Sequence, residues 1–314
     1  MGTTLITGAY GQVGQELIPI LTRKFGMDRV VLADIVKAPE KFSKYSNHNL
    51  DVTDREKLEK LMSDHDVEYI FHLAAILSAS GEKNPGKAFL TNAIGTHNIL
   101  EAARELSVKR VMIPSTIGVF SRETPRRNVP VNTVMKPRTM YGITKVTGEM
   151  LGNYYFQKFG LDVRGLRFPG LISYTAPPGG GTTDYSVEMF HYAVRREKYS
   201  CYIARDTVLP MMYMPDAMGA MMALFDADLQ RLRFHSDYNI SAFSFSPAEL
   251  EAAIRKRIPD FTVTYAPDYR QEIAEEWPET IDSSEAARDW GFRAEYSMDS
   301  MVDDMLLNLG GVRR

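Results

Sequence analysis

The stretch Thr3-Thr4-Leu5-Ile6-Thr7-Gly8-Ala9-Tyr10-Gly11-Gln12-Val13-Gly14 leaves few folds open to this chain. A short β-branched, apolar run reads as a buried strand, glycines follow at once, and apolar residues at helical spacing run from Glu16 to Phe25. Strand, glycine loop, helix is the context that a dinucleotide fingerprint needs. Gly8 allows the tight turn, Gly11 lets the backbone approach a pyrophosphate, and Gly14 lets helix and strand pack closely, while free helix N–H groups face the anion. A second strand, Arg29 to Ala33, ends in Asp34, twenty residues after Gly14. A carboxylate there can accept hydrogen bonds from the adenosine ribose hydroxyls. It would also repel a 2′-phosphate, so NAD is favoured over NADP, with Lys37 the one nearby cation that argues otherwise. Gln12, Val13 and Ile35 are assigned to the same cofactor-binding set.

The alternation continues. Asn47 to Val52 reads as a short third strand whose end, Asp51-Val52, would flank an adenine, and Asp54 opens a helix through Leu58, Leu61 and Met62. Tyr69 to Leu73 is apolar throughout, as strands buried on both faces of a parallel sheet are. It runs into Ala74-Ala75, small enough for a cofactor to lie against. His72 reads as a packed core histidine. Ser78 and Ser80 are expected on a loop at the carboxyl end of this strand, and a long helix from about Pro85 to Leu106 carries Asn92. Lys109 to Pro114 forms another strand, ending in Ser115-Thr116, and Val163 to Phe168 a further one, closed by Pro169-Gly170. The loop 121–138, rich in Pro and Arg, reads as a lid or active-site loop rather than an element of the core.

The expected fold class is therefore α/β, a Rossmann-type doubly wound parallel sheet over residues 1–170. Residues 171–314 are read as mainly a smaller C-terminal substrate-binding lobe, with some segments returning to the Rossmann core. In that half, Ala176 to Gly181 is a flexible or tightly turned loop, Tyr185 to Arg196 a helix, and Asp216 to Phe225 a Met-rich core helix. Ser246-Pro247-Ala248-Glu249 is a capping box with Pro at the first helical position.

Tyr141-Gly142-Ile143-Thr144-Lys145 supplies the candidate chemistry. Residues four apart share one helix face, so a phenol and an ammonium can point into the same cleft. A phenol with a pKa of about 10 is a poor base at neutral pH, and a cation beside it stabilises the phenolate. The helix carries Gly148 and Gly152 for close packing and should stop at Gly160. Thr116 stands twenty-five residues before Tyr141, at a strand end.

Composition narrows the function classes. With 25% charged and 44% hydrophobic residues the chain reads as globular, and a net charge of -3 argues against nucleic acid or a membrane surface as partner. The single Cys201 cannot close a disulfide within the chain, and six scattered His residues lack ligand spacing, so no structural metal is expected. No stretch has the apolar length of a membrane span, Met1-Gly2 leads directly into a strand, and Ile6 stands where a myristoylation motif wants Ser or Thr. Cytoplasm is the expected location, with a processed mitochondrial form as the alternative.

With the glycine loop, Asp34, Thr116, Tyr141 and Lys145 in this order, the chain resembles the extended short-chain dehydrogenase/reductase superfamily, most closely the branch that includes UDP-galactose epimerases. Ser284 to Phe292 is similar to that branch's C-terminal helix. Within the branch, the runs Gly179-Gly180-Gly181-Thr182-Thr183-Asp184-Tyr185, His72-Leu73-Ala74-Ala75 and Glu276-Trp277-Pro278 look like the short-chain type of L-threonine 3-dehydrogenase.

The resemblance implies that Tyr141 takes the proton from a substrate β-hydroxyl as hydride leaves for the nicotinamide. Lys145 would lower the tyrosine pKa and hold the nicotinamide ribose, and Thr116 would hydrogen-bond the reacting oxygen. Ser78, Thr182, Thr183 and Asp184 would surround the amino acid's charged groups, with Trp277 closing the pocket or serving as a core aromatic. The resemblance also implies a homodimer and L-threonine as substrate. The runner-up is a nucleotide-sugar epimerase or dehydratase that retains its NAD, with Arg195, Arg196 and Arg205 available to a diphosphate. A third reading is a non-catalytic dinucleotide sensor, which the complete Thr116, Tyr141 and Lys145 set disfavours.

Overall fold

The computed structural model describes residues 2–175, 177 and 179–310; Met1, and Ala176 and Pro178 of the loop singled out above, lie outside them. The chain runs β1 (Thr3–Thr7), α1 (Gln12–Phe25), β2 (Val30–Asp34), β3 (Ser46–Asn49), α2 (Arg55–Asp64), β4 (Val67–His72), α3 (Ser78–Lys83), α4 (Pro85–Phe89), a π turn (Leu90–Ile94) and α5 (Gly95–Glu105). It continues through β5 (Arg110–Met112), β6 (Ser115–Thr116), α6 (Met140–Phe159), β7 (Val163–Arg164), β8 (Leu166–Phe168) and β9 (Gly170–Ile172). Then follow α7 (Tyr185–Val194), β10 (Tyr199–Cys201), β11 (Leu209–Tyr213), α8 (Met214–Asp226), β12 (Tyr238–Asn239), β13 (Phe243–Phe245) and α9 (Pro247–Arg255). The last elements are β14 (Val263–Tyr265), α10 (Tyr269–Glu275), α11 (Ser284–Trp290) and α12 (Met298–Asn308).

The expected Rossmann-type sheet is present. Six parallel strands lie in the order β3-β2-β1-β4-β5-β7, with Leu5 of β1 between Val31 and Ile70 of its neighbours. Every residue of β1 is buried, as a central strand covered on both faces requires. Helices α2 and α5 cover one face through Leu58, Leu61, Ile99 and Ala103. On the other, Leu17, Ile18 and Leu21 of α1 pack with the Met-rich α8, so Met218 and Met221 are core residues although they lie in the second half of the chain. The chain leaves β1 towards β2 and β3 and returns to β4 on its other side, which opens a crevice at the carboxyl ends of β1 and β4. A second core, built by α7, α9, α12 and the sheet β9-β11-β13, closes over that crevice.

Four local expectations change. The third strand stops at Asn49, and Asp51 instead forms a turn in which its side chain accepts from the Thr53 N–H at 2.9 Å. Ser78 and Ser80 sit on the short helix α3 rather than on a loop. The long helix is interrupted by the π turn around Asn92. The strand from Val163 divides at Gly165, where a side chain would collide with the Ile113 and Ser236 carbonyls, so β7 joins the main sheet while β8 pairs with β6 and β12.

The loop 121–138 is not a lid. Val129 and Val131 are buried, Val129 bridges to Ile281, and Arg126 donates to the carbonyls of Glu275 and Trp277 at 3.0 and 2.6 Å. Apolar anchors inside a polar loop are what make it a strap. No helix of the described residues is long and apolar enough to cross a membrane.

Candidate active site

A cleft of about 470 Å³ opens at the carboxyl ends of β1, β4 and β6, roofed by residues of the second half. On the cofactor side it is lined by Gly8, Gly11, Gln12, Val13, Gly14, Leu73, Ala75 and Pro169. Gly8 has φ +65°, and a side chain there would lie 2.6 Å from the Ala74 nitrogen; one at Gly14 would lie 2.4 Å from the Ala9 carbonyl oxygen. These contacts press the loop flat and leave the first N–H groups of α1 facing the cleft. The Gln12 Nε2 is buried without a partner on its wall, a donor that a bound group can satisfy. The cradle and the orphaned donor fit a dinucleotide.

The remaining residues of the expected cofactor set stand back from this lining. Asp34 accepts from the Tyr10 N–H at 3.0 Å and the Val36 N–H at 3.2 Å, fixing the glycine loop to the end of β2, and Ile35 beside it is exposed. Ala74 backs the Gly8 turn. Val52 is buried, its carbonyl accepting from Asn98. Asn92, expected in the cofactor-binding set, is held at three points: its oxygen accepts from the Ile76 N–H at 2.8 Å, and its amide donates to the Ile76 carbonyl at 3.0 Å and the Thr144 hydroxyl at 3.1 Å. It clamps the loop after β4 against α6, so its side chain acts on the cleft wall rather than on a ligand.

Opposite the glycine loop, α6 presents Tyr141 and Lys145 to the cleft. Thr139 caps the helix by accepting from the Gly142 N–H at 3.1 Å, which sets where Tyr141 begins. Lys145 Nζ donates to the Pro114 carbonyl at 2.8 Å and lies 5.8 Å from the centre of the Tyr141 ring. Thr116 stands beside Tyr141 at the cleft wall, and its hydroxyl accepts from the Gly118 N–H at 3.1 Å.

The electrostatics run against the sequence argument. Burial pushes the Tyr141 phenol up to about 12, with the neighbouring Thr116 hydroxyl pulling the other way, and burial brings the Lys145 ammonium down to about 8, opposed by Glu149. In this arrangement desolvation outweighs the help a neighbouring cation gives a phenolate. His72, expected as a core residue, is buried between the hydroxyls of Thr7 at 2.7 Å and Thr96 at 3.2 Å, and burial followed by the Lys145 charge lowers it to about 3.

The expected substrate residues meet across the fold. Ser78 Oγ lies 3.0 Å from Thr182 Oγ1 and accepts from the Thr182 N–H at 3.3 Å; Thr183, Asp184 and Trp277 line the same space. Asp184 Oδ2 accepts from the N–H groups of Gly180 and Gly181, both at 2.8 Å, so this carboxylate shapes its own loop. Burial raises the Asp184 carboxyl, and those backbone donors pull it down. Trp277 is buried, and Arg126 of the strap holds its carbonyl. Leu77, Ile117, Phe168 and Leu171 also line the cleft. Nothing in their spacing marked them, because apolar wall and apolar core look alike in a sequence.

Lys145 is the one cation among the described residues lining the cleft. Arg195, Arg196 and Arg205 are not on its wall, and Arg195 pairs with Glu197 at 2.9 Å.

Comparison with known proteins agrees with this geometry. The NAD dependent epimerase/dehydratase family matches residues 4–241. An uncharacterized epimerase/dehydratase of Staphylococcus haemolyticus (strain JCSC1435) is 44% identical over 310 residues, 98% of this chain and 97% of its own. Among solved structures, a partial consensus L-threonine 3-dehydrogenase superposes with a TM-score of 0.97 at 44% identity, over 99% of this chain and 100% of that one. The holo form of a GalE-like L-threonine dehydrogenase from Cupriavidus necator gives a TM-score of 0.95 at 45% identity, over 98% and 99%.

Proposed function

The chain belongs to the NAD dependent epimerase/dehydratase family, and on that premise we propose that it oxidises the β-hydroxyl of L-threonine to give 2-amino-3-oxobutanoate, with NAD as cofactor. One observation carries the reading. The cleft that holds Thr116, Tyr141 and Lys145 also holds the Ser78–Thr182 pair, Thr183, Asp184 and Trp277, and among the described residues its wall offers a single cation. A small zwitterion needs a few hydroxyl donors and one acceptor, whereas a nucleotide-sugar diphosphate needs several cations.

The residues divide the work. Gly8, Gly11, Gln12, Val13 and Gly14 hold the pyrophosphate, and Asp34 the adenosine ribose. Bound NAD supplies the hydride acceptor. Thr116 hydrogen-bonds the substrate oxygen, and Tyr141 takes its proton in phenolate form. Lys145 stabilises that phenolate once the phenol has given up its own proton to solvent. Ser78, Thr182 and Thr183 bind the substrate's carboxylate and hydroxyl, Asp184 faces its ammonium, and Trp277 excludes water. These site roles rest on geometry and on the resemblance of the motifs.

The reading also carries a cytoplasmic homodimer. Ile143, Met150 and Tyr154 of α6 and Leu90 and Ile94 of the adjoining π turn are large exposed apolar residues at helical spacing. Light scattering at micromolar concentration gives twice the chain mass if they pair.

The deciding assay is NADH absorbance with NAD and L-threonine, L-allo-threonine, L-serine or a UDP-hexose, with and without chelator. NADH formation with L-threonine that survives the chelator is expected. No NADH with any amino acid, together with epimerisation of the UDP-hexose, moves the protein to the nucleotide-sugar reading.

A further inference from the structure

Glu149 lies one helical turn beyond Lys145 on α6 and is buried, though nothing in the proposed chemistry uses it. Both its oxygens accept hydrogen bonds. Arg167 of β8 donates from Nε to Oε1 at 2.9 Å and from Nη2 to Oε2 at 2.8 Å, and the Ser115 hydroxyl donates to Oε1. Arg167 is itself fixed, donating to the Val131 carbonyl at 2.8 Å and to Asn239 Oδ1 at 3.1 Å, and Asn239 donates to the Val129 carbonyl at 2.9 Å. The strap that holds Trp277 thus also holds the guanidinium.

A buried carboxylate and guanidinium of this kind are costly to keep in a core, and a pair of apolar side chains would serve stability as well. Their position suggests why they stand there. Ser115 adjoins Thr116 on β6, and Glu149 shares the helix face of Tyr141 and Lys145. The pair therefore sits beneath all three candidate catalytic groups. We propose that Glu149 is a positioning residue of this site, its carboxylate locked by Arg167 and Ser115 so as to supply the fixed negative charge that balances the Lys145 ammonium at the cleft wall.

The charges around the pair are few. Lys145 is faced by Tyr141 and Glu149 of its own helix and by His72 of β4, which burial keeps neutral. Glu149 is faced by Arg167 and, more remotely, by Asp237. Burial, with Asp237 adding to it, raises the Glu149 carboxyl, and Arg167 and Ser115 pull it down; the bidentate guanidinium favours the carboxylate form. Burial lowers Lys145 and Glu149 is what opposes it, so the carboxylate decides whether the ammonium persists at working pH.

The inference rests on the proposed role of Lys145 but not on the substrate, and the test uses neither substrate nor cofactor. The full-length protein is treated with acetic anhydride across a pH series, and Lys145 acetylation is followed by peptide mass spectrometry. Only the neutral amine reacts, so the rate profile reports the Lys145 proton. In E149Q the midpoint is expected to fall by about one unit, making Lys145 about fivefold more reactive at about pH 7 and about tenfold more reactive at about pH 6 and below. An unchanged Lys145 profile in folded E149Q overturns the proposal, even if L-threonine proves to be the substrate. Should E149Q not fold, E149L/R167M removes both buried charges; because the carboxylate shares the helix face of Lys145 and the guanidinium lies behind it, a smaller downward shift is expected, and no shift overturns the proposal. A downward shift supports the inference, even if L-threonine is inert.

Discussion

Ser78 and Thr182 lie 104 positions apart in the chain, and their hydroxyl oxygens are 3.0 Å apart in the cleft. Ser78 comes from α3, beyond the carboxyl end of β4, and Thr182 from the loop before α7, so the contact joins the two halves of the molecule at the proposed substrate. S78A and T182V are each expected to lower kcat/KM for L-threonine by about tenfold, the scale of one hydrogen bond. In the double variant the losses should fall short of their sum, because each change already breaks the shared bond. Fully additive losses would mean that the hydroxyls act separately.

Tyr141 is placed to take the substrate proton. Y141F is expected to lower kcat by about 10²–10⁴-fold while NADH binding, followed by fluorescence titration, stays nearly unchanged. With the phenol pushed up to about 12, the phenolate fraction grows with each pH unit below that value, so the oxidation rate should rise between about pH 7 and 9. A flat profile over that range would remove Tyr141 as the base.

Lys145 costs the fold stability. Its pKa falls from 10.5 to about 8 on folding, so the unfolded chain holds a proton that the folded one gives up between those values, and the penalty is complete at neutral pH. Discounted because the ammonium is partly open to the cleft, it is about 2 kcal/mol. The Pro114 carbonyl would lose its donor in K145M, at a cost of about 1 kcal/mol. K145M should therefore be inactive yet melt slightly higher than the parent without cofactor; a lower Tm would show that the hydrogen bond dominates.

His72 should dominate part of the acid response. Its pKa is lowered from 6.5 to about 3, so below 6.5 the unfolded chain binds a proton that the folded protein refuses, and stability falls by about 1.4 kcal/mol per pH unit from this group. Above 6.5 both states are neutral there and the effect vanishes. Urea unfolding of H72Q between about pH 6.5 and 4.5 should show a slope shallower by about one proton. Equal slopes would place the acid sensitivity elsewhere.

Asp34 fixes the glycine loop through the Tyr10 N–H. D34A should weaken NAD and relieve the repulsion of a 2′-phosphate, narrowing the preference for NAD over NADP by about tenfold or more. An unchanged preference would leave the choice to Lys37 or to residues the cleft does not expose.

The Rossmann-type sheet was legible in the sequence because its signals are local. β1, the glycine loop and the N-terminal turns of α1 are contiguous, and strand, turn and helix each follow from neighbours a few residues away. The same holds for Tyr141 and Lys145, which one helical period brings together, and for the Ser246 capping box, present as expected. What lay beyond the sequence depends on contacts between distant segments. The strap 121–138 looked like a lid because its apolar anchors, Val129 and Val131, are isolated among charges, and only Ile281, Asn239 and Trp277 explain them. The role of Asn92 could not be read from spacing, because it follows from hydrogen bonds to Ile76 and Thr144 far along the chain. Spacing placed Lys145 beside Tyr141, but the protonation of both is set by desolvation, and desolvation is a property of everything packed around a group. The sequence thus determined which groups meet along one helix, and the tertiary structure decided what charge they carry and which residues, Glu149 and Arg167 among them, stand behind them.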